Sequence, residues 1–135
     1  MLVIVDIDGT LALRAGREPF QWDLLMTDTP NEPVVCLVRA MSLAGHEVVF
    51  LSGRHERLRE ATERWLDENV GVPGDLLMRQ NDDTRPDFEV KSDLFRSNLR
   101  LRSDFFLVLD DRYQVVQMWR NLYGLCCLQV ADGDF

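Results

Sequence analysis

The sequence predicts an α/β fold in which a five-stranded, mostly parallel sheet carries helices on both faces. Short apolar runs that suit buried strands alternate along the chain with segments whose apolar residues recur at helical spacing. Strands that are apolar on both faces are typical of parallel sheets covered by helices. The chain has 135 residues, which is long enough for a real core, and we expect residues 1–135 to form a single domain.

The five strands and four helices are predicted in regular alternation. Strands are expected at the apolar runs Leu2–Val5, Glu47–Leu51, Leu76–Met78, Phe105–Leu109 and Leu125–Val130. Apolar residues at helical spacing mark helices between them, at Val34–Met41, Leu58–Leu66, Phe88–Leu99 and Arg112–Leu122. The first of these helices has Pro33 near its start and Gly45 just past its end, where those residues are favoured.

A long segment separates the first strand from the first helix. It covers residues 11–30, carries Gly16, Pro19 and Pro30, and is much longer than an ordinary strand-to-helix loop. Its length predicts a functional flap that is too short to be a folded lid domain. We therefore expect an open site that admits something larger than a small metabolite.

Composition limits the possible functions. The formal net charge of −8 argues against a protein that coats nucleic acid nonspecifically. No apolar run approaches the length of about 20 residues that spans a membrane, and no secretory leader is recognisable. The three cysteines, Cys36, Cys126 and Cys127, lack metal-binding spacing. They predict reduced, mostly buried thiols and a cytoplasmic location.

Polar residues follow several strands where each strand is predicted to end. The relevant residues are Asp6 and Asp8 after the first strand, Ser52-Gly53-Arg54 after the second, and Asp110 and Asp111 after the fourth. The carboxyl ends of parallel strands meet at the ligand-binding edge of such a sheet. Carboxylates gathered there repel one another unless a hard cation such as Mg²⁺ is bound between them.

Two further features of this edge point to a phosphate ligand. Ser52 and the backbone N–H groups after it can hold phosphate oxygens at a helix start. Lys91, the only lysine beside fourteen arginines, shares the apolar face of the third helix and needs anionic partners. Structural alternatives remain open: an acidic turn at Asp6 and Asp8, an internal ion pair at Lys91, and an acidic helix cap at Asp110-Asp111.

These residues resemble the four motifs of the haloacid dehalogenase superfamily of phosphotransferases. The matching residues are Asp6-Ile7-Asp8-Gly9-Thr10, Ser52, Lys91 and Asp110-Asp111. The resemblance implies a doubly wound, Rossmann-like sheet without a cap domain. It also implies that Asp6 is the nucleophile that accepts the phosphoryl group, and that Asp8 protonates the leaving oxygen and then activates water.

The same resemblance assigns the remaining motif residues. It implies that Ser52 and Lys91 bind the transferring phosphate, with Gly9 and Thr10 beside the substrate. The implied Mg²⁺ ligands are Asp6, the Asp8 carbonyl, Asp110 and Asp111, with Asp111 preferred as the direct ligand of the last pair. Covalent catalysis of this kind divides one difficult step into two easier ones.

Segments outside these motifs resemble the 3′-phosphatase domain of phage-type polynucleotide kinase/phosphatases. They include Gly16-Arg17, Ser52-Gly53-Arg54, Asp83–Asp87, Val90-Lys91, Leu109–Arg120 and Gly133–Phe135. The resemblance implies that Arg17, Gly53, Arg54, Arg79 and Asp87 belong to the substrate site. The arginines suit the phosphates of a strand end, and Asp87 can orient Lys91 from one helical turn away.

The expected function is therefore Mg²⁺-dependent removal of terminal 3′-phosphates from DNA or RNA ends. A phosphatase of a small metabolite or nucleotide, and a non-catalytic interaction module, remain as alternatives. The chain lacks a Gly-x-x-x-x-Gly-Lys-Ser/Thr phosphate loop, so we expect no kinase activity from it and allow for a separate kinase or ligase partner. Phe20 and Trp22 either pin the flap to the core or stack on a base.

Overall fold

A five-stranded sheet forms the centre of the protein, seen in a computed structural model that describes residues 1–134. The strands, in chain order, are β1 (Leu2–Val5), β2 (Ala12–Leu13), β3 (Thr29–Pro30), β4 (Glu47–His55), β5 (Gly74–Arg79), β6 (Phe105–Arg112) and β7 (Cys127–Gly133). The central sheet has the order β5-β4-β1-β6-β7, and all of its neighbouring strands are parallel. The predicted α/β fold with a parallel five-stranded sheet is confirmed.

Helices cover both faces of this sheet. They are α1 (Glu32–Leu43), α2 (Arg59–Asn69), α3 (Asp87–Leu99) and α4 (Tyr113–Gln117), and α4 continues as a wider π-helical turn over Met118–Leu122. Alternate side chains of β1 enter different cores. Val3 and Val5 pack with Trp65 of α2 on one side, whereas Leu2 and Ile4 pack with Trp119 on the other. The sheet is doubly wound.

Two strands extend further than their apolar runs predict. β4 continues past Leu51 to His55, because its pairing with β5 resumes after a register shift and joins His55 to Arg79. β6 likewise includes Asp110 and Asp111 near its carboxyl end, where it pairs with β7. The polar residues expected after these strands therefore belong to the strand ends, where the backbone holds them firmly.

The last strand begins later than predicted. β7 runs over Cys127–Gly133 rather than Leu125–Val130. The N–H of Leu125 still donates to the carbonyl of Trp119, so Leu125 belongs to the connection that leaves the helix. Gly133 instead pairs with Arg112 at the far end of β6. Phe135, the last residue of the tail used in the resemblance, lies outside the described residues.

The predicted flap is an ordered hairpin. β2 and β3 pair antiparallel through Leu13 and Thr29, and a 3-10 helix at Trp22–Thr27 lies between them. Leu25 of this helix is buried in the core, so the flap is anchored by an aliphatic side chain. No folded lid accompanies it within residues 1–134.

The expected burial of the cysteines is wrong for two of the three. Cys36 and Cys126 are exposed, whereas Cys127 is buried, and all three are free thiols. Cys36 lies on the solvent side of α1, and Cys126 precedes β7. Within the described part of the chain, no helix is both long and apolar enough to cross a membrane.

Candidate active site

A buried carboxylate lies at the carboxyl end of the central strand. Asp6 follows β1 directly and is only 5% exposed. The Nζ of Lys91 donates to Asp6 Oδ1 at 2.6 Å and to Asp110 Oδ2 at 2.8 Å. The Thr10 hydroxyl donates to Asp6 Oδ2 at 2.8 Å. Both oxygens of Asp6 are thus held, one from α3 and one from the turn after β1.

Burial and charge perturb the protonation of this cluster. Burial, together with the negative charge of Asp110, raises the pKa of Asp6 to about 7 in spite of Lys91. Burial and the charge of Asp6 likewise raise the pKa of Asp111 to about 7. Burial alone would lower the pKa of Lys91, but the carboxylates of Asp110, Asp6 and Asp87 raise it well above its ordinary value. Lys91 is therefore an ammonium ion facing several carboxyl groups.

Three of these carboxyl groups form a cluster that suits a divalent cation. Asp6, Asp110 and Asp111 each offer an oxygen within 4.8 Å of the others. Hard oxygen donors of this kind are the ligands that Mg²⁺ prefers. The turn is shaped to admit the cluster, because Gly9 has a φ of 83° and any side chain there would overlap the carboxylate of Asp111.

The carboxylate of Asp8 faces a different set of partners. Arg54 binds both of its oxygens, with Nε to Oδ2 at 2.9 Å and Nη2 to Oδ1 at 2.7 Å. Asp8 is therefore outside the three-carboxylate cluster, although its side chain, 38% exposed, is open to the solvent side of the site. A two-point guanidinium contact fixes the plane and direction of a carboxylate.

A buried network supports Arg54. Asp28, at the end of the flap helix, accepts from Nε and Nη2 of Arg17 at 2.7 and 2.8 Å and from Nη2 of Arg54 at 3.3 Å. Arg17 also lies 3.8 Å from Asp8. The ring of Trp22 lies 4.7 Å from the Arg17 guanidinium carbon and 5.2 Å from that of Arg54, in cation–π geometry.

The two aromatic residues of the flap, Phe20 and Trp22, have different surroundings. Trp22 is half-buried against the core and the two guanidinium groups, so it helps to pin the flap. Phe20 is 86% exposed and does not hold the flap down. The indole N–H of Trp65 in α2 donates to the carbonyl of Asp28 at 2.9 Å and so joins the flap to the core.

The end of β4 and the start of α3 meet on the other side of Asp6. The hydroxyl of Ser52 is fully buried and accepts from the N–H of Arg54 at 3.0 Å. Asp87 Oδ2 lies 3.6 Å from Lys91 Nζ, as expected for residues one helical turn apart. A side chain at Gly53 would overlap Oδ1 of Asp87. The glycine therefore lets the strand end and the helix start approach closely.

The structure gathers the residues singled out in the sequence into adjoining groups at this edge. One group contains Asp6, Thr10, Lys91, Asp110 and Asp111, a second contains Asp8, Arg17 and Arg54, and a third contains Gly53, Arg79 and Asp87. Their chemical roles stay predictions. The arrangement offers a buried carboxyl group, a second carboxyl group with a separate orientation, and a fixed ammonium ion.

Sequence reasoning missed two residues of the site. Asp28 is buried at 4% exposure between two arginines. Buried arginines at positions 17 and 54 would need an acidic partner, but the sequence does not distinguish Asp28 from Asp23 of the same flap as that partner. Arg112 places Nη1 3.6 Å from Asp87 Oδ2. Its position directly after Asp111 in the sequence is the feature that could have indicated its place near the site.

Comparison with known proteins identifies the family. The family model described as the polynucleotide kinase PNKP phosphatase domain matches residues 1–135. The chain belongs to this family. It is a phosphatase.

This phosphatase matches less than half the length of the following relatives, which are longer proteins. It is 30% identical over 123 residues to a putative bifunctional polynucleotide kinase/RNA ligase of Autographa californica nuclear polyhedrosis virus, covering 89% of this chain and 18% of the viral protein. Two solved structures, of a Pnkp1/Rnl/Hen1 complex and of the Pnkp1/Rnl/Hen1 RNA repair complex, contain similar chains. Their TM-scores are 0.92 and 0.89, with 41% and 40% identity, over 98% of this chain. The phosphatase spans 46% and 43% of those chains.

Proposed function

We propose that this phosphatase removes terminal 3′-phosphates from DNA or RNA ends in a Mg²⁺-dependent reaction, and so prepares broken strands for repair. The observation that carries the proposal is the family match over residues 1–135, which includes every group of the site. The flap supports it as well, because it leaves Asp8 partly exposed rather than closed under a lid. An end of a long strand can therefore approach the side of the site on which Asp8 lies.

The proposed reaction uses the two carboxyl groups in different ways. Asp6 attacks the phosphorus and forms an aspartyl-phosphate as the bond to the 3′ oxygen breaks, and protonated Asp8 gives its proton to that oxygen. A water molecule that loses a proton to Asp8 then attacks the aspartyl-phosphate, which releases inorganic phosphate and restores the Asp6 carboxylate. Lys91 lies against Asp6, where its charge stabilises the transferring phosphoryl oxygens. Ser52, Gly53 and Thr10 complete the phosphate site. Arg54 fixes the orientation of Asp8 through both of its oxygens.

Mg²⁺ fits the carboxyl cluster. Asp6, Asp110 and Asp111 supply three oxygen donors within 4.8 Å, and the Asp8 carbonyl is proposed as a fourth. A bound Mg²⁺ supplies positive charge that neutralises the phosphoryl oxygens. Burial and neighbouring carboxylates raise the pKa values of Asp6 and Asp111 to about 7, so further positive charge at this cluster would favour their ionised forms.

Mg²⁺ is expected to stabilise the protein far more at pH 8 than at pH 5.5. Because the folded pKa values of Asp6 and Asp111 are raised to about 7, the metal-free folded state binds more protons than the unfolded state between about pH 4 and 7. These groups therefore stabilise the fold at low pH, and that stability is lost as the pH rises through 7. Mg²⁺ competes with the protons and restores it.

The measurement is the melting temperature with 5 to 10 mM Mg²⁺ (roughly, for a site of ordinary affinity) and with EDTA at both pH values. We expect a rise of several degrees at pH 8 and little change at pH 5.5. Asp111→Asn is expected to lose the rise, and the exposed-site control Asp67→Asn is expected to keep it. An equal rise at both pH values would contradict a metal site at this cluster.

The substrate is tested by phosphate release from three compounds, each with Mg²⁺ and with EDTA. They are a 3′-phosphorylated oligonucleotide, its 5′-phosphorylated twin and an aryl phosphate. The proposal expects Mg²⁺-dependent turnover that strongly favours the 3′ end. Equal rates on all three would show a phosphatase without end recognition.

One observation favours a small phosphorylated metabolite as the alternative substrate, namely the net charge of −8. The dependence of KM on salt separates the two. Contacts to several strand phosphates give a clear slope of log KM against log salt, whereas a lone phosphate gives little. A flat dependence on an oligonucleotide substrate would favour the metabolite.

Partner proteins and location extend the proposal. The viral relative is described as a polynucleotide kinase/RNA ligase, and the solved relatives belong to Pnkp1/Rnl/Hen1 assemblies. This phosphatase is accordingly proposed to act beside a kinase and a ligase, which complete an end after its phosphate is removed, and to do so in the cytoplasm.

A further inference from the structure

Arg79 is an arginine of the site whose hydrogen bonds are all made to the protein's own backbone carbonyls and to Asp87. It lies at the carboxyl end of β5, and its side chain is only 10% exposed. Its Nε donates to the carbonyl of Gly53 at 2.7 Å. Its Nη1 donates to the carbonyls of Arg85 at 2.6 Å and Asp83 at 3.2 Å, and its Nη2 donates to Asp87 Oδ1 at 3.4 Å.

These bonds leave Arg79 little capacity for a ligand. A guanidinium group has five N–H donors, and four contacts within the protein already use most of them. Its acceptors come from two segments, namely the end of β4 and residues 83–87, which are the loop before α3 and its first residue. Arg79 therefore ties the end of β4 to the start of α3 through its side chain.

Both segments carry the phosphate-handling groups. Gly53 lies beside Ser52 at the end of β4. Asp87 contacts Lys91 Nζ at 3.6 Å, and it can lie so close to β4 only because position 53 has no side chain. A shift of Arg79 would release both the strand end and the helix start. Displacements of about 1 Å in such groups are sufficient to lower turnover strongly.

We propose that Arg79 is a positioning residue that fixes Lys91 and the Ser52-Gly53 segment through Asp87 and the Gly53 carbonyl, and that it does not bind a substrate phosphate. Arg112 makes the contrast clear. Its Nη1 lies 3.6 Å from the same carboxylate, but its side chain is 37% exposed. The inference goes beyond the proposed function, because positioning of Lys91 matters for any phosphate monoester.

The test compares Arg79→Gln, Arg79→Lys and the control Arg64→Gln, which makes the same change of charge on the exposed face of α2. Steady-state kinetics are measured on an aryl phosphate and on a 3′-phosphorylated oligonucleotide at several salt concentrations. Arg79→Gln is expected to lower kcat by at least about tenfold on both substrates, by a similar factor, with KM within about twofold. The salt slope is expected to be unchanged.

The lysine variant supplies the sharper distinction. An ammonium group has three donors at one point and cannot reproduce four bonds that spread across the plane of a guanidinium group. The kcat of Arg79→Lys is therefore expected to fall nearly as far as that of Arg79→Gln. Near-normal turnover in Arg79→Lys would overturn the proposal. So would a loss that is confined to the oligonucleotide, appears in KM and reduces the salt slope by about one, because that pattern marks a phosphate contact.

Gly53→Ala keeps the test decisive if Arg79→Gln fails to fold. It pushes Asp87 away from Arg79 while leaving the arginine charge in place, and it is expected to lower kcat on the aryl phosphate as well. Full aryl phosphate turnover in Gly53→Ala would contradict the link through Asp87. The proposed function is judged separately, from the end preference of the wild-type protein, so either inference can fail without the other.

Discussion

Replacing Asp6 by Asn is expected to abolish turnover while the protein stays folded. The amide has nearly the same shape as the carboxyl group but cannot attack phosphorus or carry the phosphoryl group. We expect a fall in kcat of at least about 1,000-fold on both an aryl phosphate and a 3′-phosphorylated oligonucleotide. Stopped assays for released phosphate measure the loss.

The fold should survive this change because the position keeps a hydrogen-bonding partner for Thr10 and Lys91. Circular dichroism and thermal unfolding check that expectation. Asp67→Asn, on the exposed side of α2, is the matched control and should retain full activity. Appreciable turnover in folded Asp6→Asn would rule out an aspartyl-phosphate at this residue.

Replacing Lys91 by Arg is expected to be nearly as damaging, although it keeps the positive charge. The ammonium group of Lys91 is 1% exposed and lies between Asp6 and Asp110, at 2.6 and 2.8 Å from their oxygens. A planar guanidinium group is wider, and it cannot replace a compact charge in so small a space. We expect kcat to fall at least about 100-fold, as measured on the aryl phosphate.

The exchange of Arg100 for Lys on the exposed end of α3 provides a control for charge-conserving changes. If Lys91 served only as an internal ion pair, Lys91→Arg would alter the melting temperature but leave the rate of each folded molecule close to normal. That outcome would show that Lys91 forms a structural ion pair and does not take part in the reaction.

Much of the fold was predictable because strongly patterned elements determine it. The apolar run of β1 can bury its side chains only as a central strand, and the apolar residues around Trp65 and Trp119 can be buried together only on one face of a helix. Both tryptophans are fully buried, in the cores on opposite sides of the sheet. The strand ends were harder to predict. Ser52 and Asp110 are polar, so they read as loop, yet backbone pairing with the neighbouring strands continues through them.

The site shows the same division between pattern and three-dimensional context. The placement of Asp6, Lys91 and Asp111 at one edge follows from topology, since the carboxyl ends of parallel strands converge. Topology does not predict that Asp8 pairs with Arg54, or that Asp28 pairs with both Arg17 and Arg54. It depends on the path of the flap, which no periodicity in residues 11–30 specifies.

The most direct test of the whole account is to trap the phosphoryl group on the protein. The folded wild-type protein and Asp8→Asn are mixed with an oligonucleotide that carries a radiolabelled 3′-phosphate, and acid stops the reaction within one turnover. We expect label on the protein that is stable to acid, is released by hydroxylamine, and maps to the peptide that contains Asp6. Active wild-type enzyme that shows no protein-bound label at any time, or label on another residue, would contradict transfer of the 3′-phosphate to Asp6.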